Sequence, residues 1–216
     1  MPLYTADALV LRTYKLGEAD RIVVFLTRDR GKKRGVAKGA RRPRSSFTGA
    51  LEPMTEVRVA YFEKERRELV GLNYAETYRS PLTLGSQDAL GYISYFAELL
   101  DEWAQEADAD DRLYRLGASM LDALSVGAPV EPLARYFEYW LLRLQGVYPE
   151  SQAGLSTGAT AFLMGSRTVP PQQVGSVPVE PRALRELENV HRTLITMHLE
   201  KTLKSDRVLR ELRRRA

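Results

Sequence analysis

Residues 6–27 read ADALVLRTYKLGEADRIVVFLT, and this stretch decides the architecture. ADALVLRTYK and RIVVFLT are short runs rich in β-branched and apolar residues, and LGEAD between them has turn character, so the pair predicts a β-hairpin. Moving outward, RGVAKGA is a weaker third strand candidate. TEVRVAYF places Val57, Val59 and Tyr61 on one face of an extended segment, with Glu56 and Arg58 on the other. After the charged turn EKERRE, LVGLNYAETY is a fifth run. Five short strands in the first eighty residues predict a small closed or partly open barrel, and the five-stranded OB-fold is the simplest candidate.

From Pro81 the period changes. Leu90, Ile93, Phe96, Ala97, Leu100 and Trp103 recur at helical spacing, with Ser86 as the expected N-cap. DRLYRLGASMLDALSV repeats the pattern, and EPLARYFEYWLLRLQG is apolar around much of its circumference, as a central helix would be. Two further helical stretches span roughly 182–199 and 204–215. The expected fold is therefore α+β in two domains. Residues 1–80 form the OB barrel, and residues 81–216 form an α-helical bundle with an irregular, cysteine-free insertion at about 147–181.

Charge is unevenly divided. Residues 1–79 carry 17 basic and 10 acidic side chains, and residues 80–216 carry 15 and 18. From Arg28 to Arg44 nine bases stand against Asp29 alone, whereas Ser86 to Asp111 contains eight acids and no base. A solvated charge run usually mixes signs, and the basic one does not. Its glycines allow a phosphate backbone to approach, so Lys32, Lys33, Arg34, Lys38, Arg41, Arg42, Arg44 and Ser45 are the expected nucleic-acid contacts.

Groups suited to catalysis are scarce. The chain has no cysteine, which excludes disulfides, thiolate chemistry and Cys-based zinc sites and suits a reducing cytoplasm. His191 and His198 lack partners at metal-ligand spacing, and no Walker loop occurs. GLSTG at 154–158 matches G-x-S-x-G but lacks the strand and helix that a nucleophile elbow needs, and reads as a flexible loop. No run is long and apolar enough to span a membrane, and the start has no signal-peptide pattern. Neither enzymatic activity nor a cofactor is expected. The aromatic clusters Tyr92, Tyr95, Phe96 and Tyr136, Phe137, Tyr139, Trp140 are expected in the core.

Several elements together resemble the RecO family of recombination mediators: GEADRIV, the T-R-x-x-G step at Thr27 to Gly31, VAKGARRPRS at 36–45 and L-E-P at 51–53. ARYFEYWLLRLQGVYPE and HLEKTLKSDRVLREL are similar to that family's central and closing helices. The resemblance implies an OB-fold followed by a helical domain that binds single- and double-stranded DNA and anneals complementary strands. It also implies contact with the single-strand-binding protein, action with RecR and help in loading RecA. Many members carry a four-cysteine zinc module where this chain has neither Cys nor His. Leu155, Phe162, Leu163 and Met164 are expected to brace the fold there. The acidic, apolar-ended tail of the single-strand-binding protein needs a cation beside an apolar groove. Arg135 or Arg143 is the expected cation, with Arg207 and Arg210 of the closing helix as the alternative. Of another class is an RNA- or ribosome-associated OB protein, which would not anneal strands.

Overall fold

A computed structural model describes residues 2–63, 68–83, 87–149 and 154–213. Five strands come first: β1 (Leu3–Leu16), β2 (Asp20–Thr27), β3 (Gly31–Ala37), β4 (Glu56–Phe62) and β5 (Val70–Arg79). They close into a barrel in the order β1-β2-β3-β5-β4, antiparallel except where β3 meets β5. The hairpin and alternation read from the sequence are both present. Val57, Val59 and Tyr61 point into the barrel with Val10, Val23, Phe25, Ala37 and Leu72. The charged turn expected after β4 falls largely on residues 64–67, outside the described part.

The helices are α1 (Gln87–Trp103), α2 (Asp111–Ser125), α3 (Val130–Leu144), α4 (Thr157–Ser166), α5 (Pro181–Leu199) and α6 (Lys204–Arg213), with short 3-10 turns at Pro81–Thr83 and Pro171–Ser176. The cap expected at Ser86 lies outside the described residues. Two compact units emerge, one of residues 1–85 and 93–118 and another of residues 86–92 and 119–216.

In the first unit the barrel carries helical cover. Leu9 and Leu26 face each other across β1 and β2 and are almost fully buried although they lie outside the barrel core. Their strands therefore read as nearly continuous apolar runs, as strands covered on both faces do. A β-carbon at Gly117 of α2 would stand 2.8 Å from Leu9 Cδ1 and 2.7 Å from Leu100 Cδ1, so β1, α1 and α2 meet closely there and a larger residue would push the two leucine side chains aside. The Tyr114 hydroxyl donates to Glu56 Oε1 at 2.8 Å, and the Arg79 guanidinium holds the other oxygen. Burial first, and that hydrogen bond second, push the Tyr114 phenol far above its ordinary pKa. Tyr114→Phe should cost about 1.5–3 kcal/mol, because a buried carboxylate loses a donor. Urea unfolding would show it as a lower midpoint at unchanged slope.

The second unit is built around α3, where Leu133, Ala134, Phe137, Tyr139, Leu141 and Leu142 are fully buried. The segment expected to be irregular differs from that reading, since residues 157–166 form α4. Gly158, Thr157 and Thr160 weaken the helical signal, but burial of Ala159, Phe162 and Leu163 overrides propensity. Phe162 and Leu163 thus serve as braces. Leu155 is half-buried, and Met164 points to solvent. GLSTG leads into this helix, with Thr157 and Gly158 as its first two residues. Ser156 is its N-cap, accepting from the Ala159 amide and bonded through its hydroxyl to Glu186.

Candidate nucleic-acid interface

The T-R-x-x-G step is a closed turn. The Thr27 hydroxyl donates to Gly31 O at 2.7 Å and accepts from the Arg30 amide at 3.1 Å. Gly31 has φ +67°, and residues 105–108 run directly against it. There the Lys32 amide donates to Gln105 O and the Ala107 amide donates to Lys32 O.

This packing divides the basic residues into two groups. Lys32 donates from Nζ to Asp101 O at 2.6 Å, so its charge sits at the C-terminal end of α1, where a cation complements the helix dipole. Lys33 is paired with Glu63 at 2.8 Å. Arg41 is a clamp. Its guanidinium donates to Gly17 O and Glu18 O at 3.0 and 2.8 Å, and its amide donates to Ala19 O. Together with the Gly39 amide on Asp20, these bonds dock the loop of residues 38–45 onto the β1–β2 turn. Ser45 shapes the same loop, its hydroxyl oxygen accepting from the Phe47 amide.

Arg34, Lys38, Arg42 and Arg44 form the other group. All four are exposed and meet no partner among the described residues. Arg44 adopts φ +62°, which turns the chain at the loop's end. Of the eight expected contacts, four are free cations and the remaining four hold the loop and strand in place. Two residues beside them escaped the sequence reading. Tyr14 and Leu16, just before the clamped turn, are 43 % and 37 % exposed. Only cross-strand register, which composition does not carry, reveals them as neighbours of the basic loop.

The acidic segment has a role in this unit as well. Arg12 reaches Asp101 at 3.3 Å and lies near Glu98 and Glu102, while Arg28 pairs with Asp111 at 2.7 Å. Part of the barrel's charge is therefore neutralised by α1 and α2.

In the second unit Arg135 is not the rim cation expected of it. It is 4 % exposed, donating to Glu138 at 2.6 Å and pairing with Glu188 at 3.3 Å. A guanidinium so enclosed has no face to offer a ligand. His191, fully buried, meets the other Glu138 oxygen at 2.9 Å. Arg143 is exposed, donating to the Tyr139 hydroxyl at 3.0 Å and lying over the Trp140 ring. Arg207 is exposed on α6, and the Arg210 side chain lies outside the described part. Among the described residues no group of three or more His, Asp or Glu is arranged to hold a metal, and no helix is long and apolar enough to cross a membrane.

Residues 1–81 match the family model "Recombination protein O N terminal" and residues 85–164 match "Recombination protein O C terminal". A DNA repair protein RecO of Anaeromyxobacter sp. (strain Fw109-5) is 34 % identical over 178 residues, covering 81 % of this chain and 70 % of that protein. This chain belongs to the RecO family. Another member, from Koribacter versatilis, is 40 % identical over 152 residues, 68 % of this chain and 61 % of its own length. RecO of Pelotomaculum thermopropionicum aligns along 95 % of this chain and 93 % of its own, at 28 % identity. The chain spans about three-fifths of the length of the first relatives it matches.

Proposed function

We propose that this RecO-family chain acts in DNA repair as a non-enzymatic mediator, binding single- and double-stranded DNA through its barrel and annealing complementary strands. With RecR it would help load RecA onto DNA coated with single-strand-binding protein, in the cytoplasm and without metal or nucleotide. One observation carries the binding reading: Arg34, Lys38, Arg42 and Arg44 stand exposed and, among the described residues, unpaired, on a loop and strand that other basic residues tie down. A backbone already held in place leaves only the side-chain rotamers of these cations to be ordered when they meet a phosphate backbone. The relatives' shared name, DNA repair protein, supports the biological setting. For the tail of the single-strand-binding protein, Arg143 over its aromatic neighbours is the better of the two expected cations, since Arg135 is enclosed.

Salt-dependent binding tests this reading. Each phosphate contact releases counterions, at a slope of about 0.7 per contact on a single strand. Arg34→Ala/Arg42→Ala/Arg44→Ala together should therefore lower the slope by about 2 and weaken all sequences alike. A folded triple variant with unchanged affinity and slope would leave the loop as mere solvated surface.

A further inference from the structure

A row of free cations holds any polyanion, yet the surface beside it is not uniformly polar. Tyr14 faces Ile22 across β1 and β2, and Ile22 faces Val36 across β2 and β3. In the next row Arg12 faces Val24, which faces Arg34. Directly opposed residues project from the same side of a sheet. Val23 and Phe25, of the other parity, fill the barrel, so Tyr14, Ile22, Val36 and Arg34 share its outer side. Residues 98–102 of α1 reach this side at Arg12. Tyr14 and Leu16, further along β1, stay exposed.

Tyr14 is also restrained. The Arg12 guanidinium, itself anchored on Asp101, donates to the Tyr14 hydroxyl at 3.3 Å. A tyrosine held by its tip on an apolar strip, with basic residues alongside, matches the combination by which OB surfaces hold single strands: a positive track with aromatic rings on which bases stack. Tyr14 and Val36 are two strand spacings apart, about 10 Å, within the span of a base and its neighbouring phosphates.

We infer that Tyr14 is a base-stacking platform that selects unpaired DNA, its ring receiving one base while Arg34, Lys38 and the 42–44 loop hold the flanking phosphates. This rests on the DNA-binding reading and adds strand selectivity to it. In a duplex the base faces are covered by their neighbours, so only an unpaired strand can offer one to Tyr14. The carboxylates of Glu98, Asp101 and Glu102 bound the path on one side, and the strand runs from Tyr14 toward the basic loop.

The test is fluorescence anisotropy with labelled oligo-dT and with an abasic oligomer of equal length, at several salt concentrations. Tyr14→Ala should bind oligo-dT about tenfold more weakly at unchanged salt slope, since a stack and no phosphate contact is lost. Tyr14→Phe should restore the affinity. On the abasic oligomer, wild type and Tyr14→Ala should bind alike. Unaltered oligo-dT affinity in Tyr14→Ala, or an equal loss on the abasic strand, would overturn the stacking role while leaving the cation set standing. Wild type that fails to bind either oligomer would overturn the DNA-binding reading itself.

Discussion

Arg135→Ala should destabilise the second unit by about 3–5 kcal/mol, the cost of breaking a buried ion pair from one side. The Glu138 carboxylate would stay in the core without its guanidinium partner, facing His191 at 2.9 Å. Glu188 would lose its 3.3 Å contact too, although Arg192 still holds it at 2.6 Å and links onward to Asp206. For a chain of this size 1 kcal/mol moves a thermal midpoint by about 2–4 °C, so a calorimetric fall of roughly 10 °C is expected. Replacing both charges with apolar residues, as Arg135→Met/Glu138→Leu, should recover much of the loss, because what is costly is the uncompensated charge. A melting curve for Arg135→Ala that overlays wild type would show the network to be energetically idle.

The second large effect is expected at Gly31. A β-carbon there would lie 2.3 Å from Asp108 O and 2.5 Å from its amide nitrogen, contacts that only backbone movement relieves. Left-handed φ adds a penalty of its own for any L side chain. Gly31→Ala should therefore cost roughly 2–4 kcal/mol, combining strain with displacement of residues 105–108 from β3. Hydrogen exchange at the Lys32 and Ala107 amides, which are bonded in this contact, should accelerate far more than at the barrel's β1–β4 ladder. Equal protection in the variant would mean the segment is held by something other than this turn.

The barrel was legible because its strands obey a simple rule. Val57, Val59 and Tyr61 alternate, and the LGEAD turn falls between two apolar runs. What each basic residue does was not legible. Lys32 finds Asp101 and Lys33 finds Glu63, partners 69 and 30 positions away. Arg41 spends its guanidinium on carbonyl oxygens, and carbonyls leave no trace in composition. Arg135 and Arg143 looked equivalent on α3. Only the arrival of α5, with Glu188 and His191, buries the first and leaves the second exposed. For α4 a hint was present: a serine followed by small residues and then Phe162 and Leu163 is a capped apolar helix, masked by its glycines and threonines.

The carboxylates on α1 and α2 also shape how the first unit meets a partner. By sitting on Arg12, Lys32 and Arg28 they act as built-in counterions for one flank of the barrel, while Arg34, Lys38, Arg42 and Arg44 meet no acid among the described residues. Such a unit is an electric dipole as well as a net charge. Any polyanion diffusing nearby would exert a torque on it, turning the basic loop toward that polyanion before contact forms. Orientation is then settled within roughly a Debye length, about 8 Å at physiological salt, and fewer collisions are wasted on the wrong face.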